Sequence, residues 1–280
     1  MRVADLVHVR GWQAELALGF ERRDGRTVLA ARRHSGPLVV QKPLYPEGDE
    51  VCHVIIVHPP AGIAGGDEIE VAASAAQGAH ALLTTPGAGR WYRSGGAWAR
   101  QSLAFDAGSG ACLEWLPQET IVFDGALADL RTEVRLAGDA RFIGWEVLCL
   151  GRTGSGERFT RGECRLRTVV VRDGRPLWHE RGRIEAGGAL MDAPAGLGGH
   201  SVSGTLYAVA EELRAPDLAA CRAVMPVAGE SAVTLLPGVL LARYLGDSSE
   251  AAKRYFAELW RRLRPVVAGR EAQEPRIWRT

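Results

Sequence analysis

Two segments of the chain are apolar at almost every position, and they constrain the fold more than any other feature. Residues 51–57 (VCHVIIV) and 142–150 (FIGWEVLCL) leave no continuous polar face that a strand could turn toward water. Strands with this pattern are buried on both faces inside a stack of layers, unlike the strands of a sandwich with a solvated face. We therefore expect a layered interior that covers these two strands on both sides.

Short alternating segments, separated by glycine, proline or aspartate, fill most of the remaining chain. Between residues 12 and 20 every even position is apolar, which is the period of a strand. Further strands are expected at 27–31, 38–41, 51–57, 68–73, 79–83, 99–105, 111–116, 130–136, 141–150, 165–171 and 202–209. Their spacing is typical of all-β proteins. The sequence predicts a mainly β scaffold, layered or β-helix-like, and irregular because no fixed repeat period is visible.

Helices are predicted only near the C-terminus, where the scaffold should carry one or two of them. A short helix is expected at 217–224. A longer one should follow Asp247, an N-cap whose capping box is completed by Glu250. Arg264 precedes Pro265, and because the residue before proline avoids the α region, we expect the helix to end there.

The cysteines and the charges indicate a cytoplasmic protein without polyanionic partners. The five cysteines are odd in number and mostly set among apolar residues, so we expect buried free thiols in a reducing cytoplasm. The 34 basic residues offset 33 acidic ones, and a net charge of +1 gives no general reason to expect nucleic-acid or membrane binding. No linker or composition shift divides the chain, so we expect one domain over residues 1–280.

No stretch of the sequence has the spacing of a recognisable catalytic or tight metal site. Cys-x-x-Cys, His-x-His, His-Glu-x-x-His and Gly-x-Ser-x-Gly are all missing. The glycine-rich residues 151–156 are not followed by the lysine and hydroxyl residue of a phosphate-binding loop. The sequence therefore lacks a recognisable catalytic or tight metal site, and groups assembled from distant positions would leave no local signature.

Two loops carry side chains suited to recognition. Residues 58–67 follow an apolar strand and contain a di-proline and three glycines. This loop is either a tight corner between strands or a shaped loop that presents its polar ends to a ligand. Residues 90–93 interleave two arginines with two aromatic residues, which suits anion or partner recognition, or a solvated turn around a buried tryptophan. The candidate partner-binding residues are His58, Arg90, Tyr92 and Arg93.

Several glutamates lie within apolar, strand-like sequence. Glu114 and Glu119 flank the residues Trp-Leu-Pro-Gln, and Glu146 lies between Trp145 and Val147. A buried carboxylate must be paired, protonated or hydrated by internal water. These residues therefore belong either to structural Arg–Glu pairs or to a polar internal passage.

Seven short stretches form a recognisable set along nearly the whole chain. They are VQKPLYPEG at 40–48, HPPAGIAGGD at 58–67, LLTTPGA at 82–88, EWLPQE at 114–119, ARFIGWE at 140–146, ARYLG at 242–246 and PRIW at 275–278. In this order they resemble the urease accessory protein family UreD, called UreH in some organisms. One departure is Ala61, where the family usually has glycine.

The resemblance implies a function that the motifs alone do not. Members of this family resemble a scaffold with a β-helix-like body, and the resemblance implies that the protein is not itself an enzyme. It joins UreF, a helical partner, and UreG, a GTP-hydrolysing nickel carrier, on the urease apoprotein, and we expect a dimer of such heteromers. An internal tunnel is a proposed route for the metal, which makes nickel a cargo in transit and implies no permanent cofactor. Candidate tunnel-lining or transient nickel contacts are Asp67, Glu114, Glu119, Glu146 and Glu180.

Two other classes of protein stay open at this point. A carbohydrate-active β-helix enzyme could use Asp67, Glu114 and Glu119 as acids and bases. The carboxylates of glycosidases lie about 5–10 Å apart in an open cleft, so their spacing and exposure discriminate between the functions. The other class is a plain binding module with a dry interior.

Overall fold

The computed structural model describes residues 11–60 and 62–279, so the first ten residues, Ala61 and Thr280 lie outside the described part. Within it the chain forms seventeen strands and three α-helices. The strands are β1 (Gln13–Arg23), β2 (Arg26–Ser35), β3 (Val39–Val40), β4 (Val51–Val57), β5 (Glu68–Ala75), β6 (His80–Thr84), β7 (Gly89–Trp91), β8 (Ala99–Ala107), β9 (Cys112–Leu116), β10 (Thr120–Val122), β11 (Leu127–Leu136), β12 (Arg141–Leu150), β13 (Glu163–Arg172), β14 (Arg175–Glu185), β15 (Val202–Val209), β16 (Glu230–Leu236) and β17 (Val239–Gly246). The helices are α1 (Ala189–Asp192), α2 (Ala215–Arg222) and α3 (Ser249–Ala268).

The strands form two sheets, and the middle of the chain alternates between them. The smaller sheet has the order β14-β13-β11-β8-β5-β1-β2, and the larger has the order β16-β17-β15-β12-β9-β6-β4-β3. Strand β10 pairs with β12 off this path, and β7 pairs with β10. Strands β5, β8, β11 and β13 are parallel neighbours in the smaller sheet. Strands β4, β6, β9 and β12 are parallel neighbours in the larger one. Each coil thus gives one strand to each sheet, which confirms the predicted mainly β, solenoid-like layered fold.

Glycine turns stack at one corner of this solenoid. The turns at 76–79, 108–111 and 137–140 lead from the smaller sheet to the larger one, and each contains a glycine with φ between 52° and 69°. The amide of Gly78 in the first turn donates to the carbonyl of Ser109 in the second at 3.1 Å, and the amide of Gly110 in the second donates to the Asp139 carboxylate of the third at 2.7 Å. Because only glycine adopts this left-handed conformation at little cost, the glycine punctuation of the sequence marks the corner.

The doubly apolar segments are covered on both sides, as predicted. On one side of β12, Phe142 lies 5.5 Å from Phe105 of the smaller sheet, measured between ring centroids. On the other side Trp145 lies 6.4 Å from Phe256 of α3. The molecule is therefore a stack of small sheet, large sheet and helix, and β12 runs through the middle layer.

Helix α3 begins one residue later than the sequence predicts. Ser248 is the N-cap, since its Oγ accepts a hydrogen bond from the amide of Ala251 at 3.1 Å. The side chain of Asp247 does not cap the helix but accepts a hydrogen bond from the amide of Ser201 at 3.0 Å, which holds the start of β15 against the start of the helix. Helix α2 is displaced by two residues from the predicted range 217–224.

The predicted end of α3 at Arg264 is wrong. The helix continues to Ala268 with Pro265 inside it, and Gly269 caps it with a φ of 66°. The side chain of Arg264 is fully buried and bonded to two carboxylates. These tertiary contacts override the local preference of a residue that precedes proline.

The cysteines are buried free thiols, as predicted. Burial raises the pKa of the Cys149 thiol to about 12, so this group stays protonated at neutral pH. Within the described ranges, no group of three or more His, Cys, Asp or Glu side chains is arranged to hold a metal ion. The helices found there are too short or too polar to span a membrane.

Candidate functional site: an internal cavity and a buried ionic cluster

A cavity of about 210 Å³ lies between the two sheets. Strands β5, β8, β11 and β13 form one wall, and β4, β9 and β12 form the other, mostly with aliphatic and aromatic side chains. The loop after β4 and residues 85–90 also line it. Gly87 and Arg90 in that segment are exposed, so the cavity reaches the surface there.

Glu146 of β12 is the acidic residue on the wall of this cavity. Its Oε1 accepts a hydrogen bond from Thr132 Oγ1 of the facing sheet at 2.6 Å. It forms no ion pair with any other residue in the part of the chain that the structure describes. Burial raises the pKa of this carboxyl, the Thr132 hydrogen bond lowers it, and the Glu180 carboxylate raises it further, with a net increase. Glu146 therefore holds a proton more readily than a surface glutamate does.

A second, smaller cavity of about 80 Å³ shares Glu146 and Leu166 with the first. Most of the side chains that line it are of polar residues, and one wall carries an ion pair of 2.8 Å between Glu180 Oε1 and Arg243 Nη1. The side chains of this pair are 37% and 40% exposed, so the ion pair reaches the surface. The remaining lining residues include Thr168, Ser203, Thr205 and Tyr207, whose buried hydroxyl has no hydrogen-bond partner among the described residues. Glu146 thus lies between a cavity lined mostly by apolar side chains and a smaller one with more polar side chains.

A buried ionic cluster on the opposite side of the large sheet contains Glu114 in a structural Arg–Glu pair, one of the two alternatives left open by the sequence, although the other members of the cluster were not indicated. It consists of Glu47, His53, His80, Glu114 and Arg264. The Arg264 guanidinium donates to Glu47 at 2.5 and 2.8 Å and to Glu114 at 3.0 to 3.1 Å. His53 Nε2 lies 2.5 Å from Glu47, and His80 Nε2 lies 2.7 Å from Glu114. The indole of Trp260 also donates to Glu114, at 2.6 Å.

The charges of the ionic cluster compensate one another. Burial alone would raise the pKa of Glu114, but His80 and Arg264 lower it to about 2. Burial alone would lower the pKa of His80, but Cys112 and Glu114 raise it to about 10. At neutral pH Glu114 is therefore ionised and His80 is protonated. A carboxylate saturated by donors in this way is a structural clamp, which here fastens α3 to β6, β9 and the loop before β4.

Asp67 shapes the loop after β4 and lines neither cavity. Its Oδ1 accepts the amide of Trp12 at 2.8 Å, and its Oδ2 accepts the amide of Ala64 at 2.7 Å. Both carboxylate oxygens are occupied by main-chain donors, so Asp67 stabilises the turn that presents His58.

Glu119 lies beneath the first turns of α3. Its Oε2 lies 2.6 Å from Lys253 Nζ, which also donates to Gln118 Oε1 at 2.8 Å. Gln118 lines the large cavity, so this ion pair borders it. Of the five predicted carboxylates, Glu146 and Glu180 line the cavities, and the other three are held elsewhere.

The predicted partner-binding residues gather near the surface opening of the large cavity. His58 and Arg90 line the cavity directly. Tyr92 and Arg93 follow on the exposed surface, while Trp91 between them is buried. The four side chains are therefore placed where a docked partner could contact the opening.

The three carboxylates of the carbohydrate-active alternative do not form an open cleft. Glu114 is fully buried and bonded to Arg264. Asp67 is occupied by main-chain amides, and Glu119 by Lys253. A glycosidase needs two carboxylates that reach the same bound sugar, and Glu114 cannot reach one.

Comparisons with known proteins agree with the resemblance that the sequence motifs carry. A family model described as UreD urease accessory protein matches residues 13–279. A urease accessory protein UreD from Azoarcus sp. (strain BH72) is 60% identical over 270 residues, covering 96% of this chain and 95% of the relative. Another from Dechloromonas aromatica (strain RCB) is 56% identical over 277 residues, covering 98% and 96%. The chain therefore belongs to the UreD urease accessory protein family.

Proposed function

We propose that this protein is a non-catalytic scaffold of urease maturation that guides Ni²⁺ through its interior. Family membership supports the maturation role, since the relatives are named urease accessory proteins. In this proposal the scaffold acts in the cytoplasm with UreF, UreG and the urease apoprotein, as a dimer of heteromers. Nickel is its cargo and not a resident cofactor.

The position of Glu146 is the observation that carries the metal route. Its carboxylate lies between two cavities, with one neutral hydrogen-bond donor and no cationic partner among the described residues. In a site screened from bulk water, the attraction between a carboxylate and a divalent cation is stronger than at the surface. Oxygen ligands hold nickel less tightly than clusters of thiolates or imidazoles, so the cation can also leave.

Four of the seven stretches that carry the family resemblance converge on the large cavity. His58, Thr85, Trp115 and Glu146 each belong to a different stretch, and each lines it. These positions are far apart in sequence, and the alternation of the chain between the two sheets brings them together. Their convergence supports the interior as the functional part of the scaffold.

Replacing Glu146 by glutamine tests the route. The amide keeps the volume and removes the charge, so packing should be preserved while attraction for a divalent cation falls. Each variant is co-expressed with urease apoprotein, UreF and UreG at limiting nickel. We expect the Glu146→Gln complex to assemble normally but to contain several-fold less nickel and urease activity. The matched control is Glu230→Gln, on the exposed edge strand β16, which should behave as wild type.

Two outcomes would contradict this proposal in different ways. Full nickel content with Glu146→Gln at limiting nickel would exclude a route that depends on this carboxylate. Failure of the variant complex to assemble would assign Glu146 a structural role. Recovery of assembled complex therefore has to be measured in the same samples as the nickel content.

A further inference from the structure

The outer face of the smaller sheet carries two like-charge pairs without counter-ions. Glu15 of β1 is directly opposite Glu70 of β5, and Arg167 of β13 is directly opposite Arg181 of β14. All four side chains are exposed, and none forms an ion pair with another described residue. Like charges directly opposite on neighbouring strands are destabilising. The face of a single copy therefore contains two repulsions that nothing in the described chain relieves.

The two pairs lie in one row across the sheet. The strand register continues from Glu70 to Ser102, then to Arg131, and then to Arg167. The line midway between the acidic and the cationic pair runs between β8 and β11. Each pair is centred two strand spacings, about 10 Å, from that line. The two pairs are therefore opposite in sign and equidistant about one line parallel to the strands, while Arg131 between them is paired with Asp129 of its own strand.

We propose that this face binds a second copy of the chain about a two-fold axis along that line. A rotation of 180° about this axis keeps every residue in its row and brings β1 over β14, β5 over β13 and β8 over β11. Glu15 of one copy then faces Arg181 of the other, and Glu70 faces Arg167. Each repulsion within one copy becomes a set of ion pairs between copies.

The same rotation also brings opposite charges together in other rows of this face. In the row that contains Glu68 and Arg165, β5 of one copy lies over β13 of the other, so these two side chains face each other. In a row on the other side, Asp106 of β8 faces Arg135 of β11, its ion-pair partner within one copy. Opposite charges thus meet in three rows.

Between these charged rows, small side chains of one copy face larger ones of the other. Ala17, Ala72 and Ala104 occupy one row on β1, β5 and β8. The same row continues with Glu133, Val169 and His179, so each alanine leaves room for one of these side chains of the other copy. Six overlapping strands, about 4.8 Å apart, with about eight residues each at 3.3 Å, bury roughly 750 Å² per copy. Stable complexes bury about 800 Å² per partner. Strand β2, with the exposed Arg33, lies outside the overlap.

A second copy fits these charges better than an acidic partner does. An acidic partner would neutralise the arginine pair but would leave Glu15 and Glu70 in repulsion. A ligand that relieves both pairs must carry both signs about 19 Å apart in the same row, and the chain itself has that pattern. The inference does not rest on the nickel route, which uses the inner side of the sheet.

Co-capture of two tagged copies tests the proposal. Full-length chains with different tags are expressed together in a host that lacks urease genes, and recovery of the second tag is measured after capture of the first. The arginine variant is Arg167→Glu with Arg181→Glu, and the glutamate variant is Glu15→Arg with Glu70→Arg. In each variant paired with itself, like charges face each other across the axis, so we expect recovery to fall about tenfold or more.

Mixing the two variants separates loss of contact from loss of folding. The arginine variant faces the glutamate variant with opposite charges in every position, so recovery should return to the wild-type level. The control, Arg32→Glu with Arg33→Glu on β2, should have no effect. Absent wild-type co-capture, or no recovery in the mixture, would overturn the proposal. The proposal would also be overturned if the arginine variant lost co-capture while the glutamate variant kept it, because that result indicates an acidic occupant of this face.

Discussion

Glu114 and Glu146 lie on neighbouring strands of the same sheet, yet they occupy opposite environments. Glu114 points toward α3 and accepts hydrogen bonds from His80, Trp260 and Arg264. Glu146 points toward the smaller sheet and accepts one hydrogen bond, from a threonine hydroxyl. The helix fills one side of the large sheet, whereas the space between the sheets keeps cavities on the other side.

The difference shows how one scaffold can keep both a fixed and an available carboxylate. A buried charge is stable when ion pairs and hydrogen bonds compensate it, as in the ionic cluster. Without such compensation, a buried carboxyl takes up a proton or attracts a cation. The cluster therefore holds the helix on the solenoid, and the cavity side is left for a cargo.

Replacing Arg264 should have the largest effect on stability. Arg264→Met leaves Glu47 and Glu114 buried with too little positive charge, and breaking a buried pair in this way costs about 3–5 kcal/mol. The control is Arg262→Met, which loses an exposed helical ion pair worth at most about 0.5 kcal/mol. Urea unfolding followed by circular dichroism measures both. A loss below about 1 kcal/mol for Arg264→Met would show that the cluster is not a clamp.

The two glutamates themselves should respond differently to the same substitution. Glu114→Gln removes the counter-charge of His80 and Arg264 and should cost about 3 kcal/mol in the free energy of unfolding at neutral pH. Glu146→Gln leaves no cationic side chain without its counter-ion, so the free energy of unfolding should stay the same or increase slightly. Equal losses for the two variants in the same unfolding experiment would remove the distinction between the clamp and the cavity.

The layered fold could be predicted because local patterns of apolar and polar residues determine it. Residues 51–57 and 142–150 have no polar face, and the strands β4 and β12 occupy the same or nearly the same ranges. Strand β14 was not predicted, because it is an edge strand whose sequence RPLWHERGRIE alternates weakly and carries many charges. Its pairing with β13, and not its own propensity, makes it a strand.

The candidate site could be predicted only in part, because partners distant in sequence decide its chemistry. Glu114 and Glu146 carry the same local signal, a carboxylate among apolar residues. What separates them is Arg264, 150 positions from Glu114, in a segment where local rules predict the end of a helix. Cavity volume depends on how two sheets pack and has no local signature. The sequence therefore supplied the candidates but not their roles.

The smallest effect should appear in the pH dependence of stability, with opposite signs for the two carboxylates. The pKa of Glu146 is raised from its ordinary value of 4.5. Above that value the native state binds more protons than the unfolded chain, so wild-type stability falls as pH rises. Glutamine does not titrate, so the stability of Glu146→Gln relative to wild type should increase with pH until the native carboxyl has ionised. The total increase is about 1.4 kcal/mol for each pH unit by which the native pKa exceeds the unfolded one.

Glu114 gives the reference curve for this measurement. Its pKa is lowered to about 2, so its contribution is complete above pH 4.5 and is lost as the pH falls toward 2. In unfolding experiments between about pH 2 and pH 8, the stability deficit of Glu114→Gln should therefore shrink as the pH falls below 4.5. The stability advantage of Glu146→Gln should instead grow as the pH rises above 4.5. If the advantage of Glu146→Gln shrank as pH rose, Glu146 would have to be ionised and compensated like Glu114. The cavity would then lack the uncompensated carboxyl on which a metal route depends.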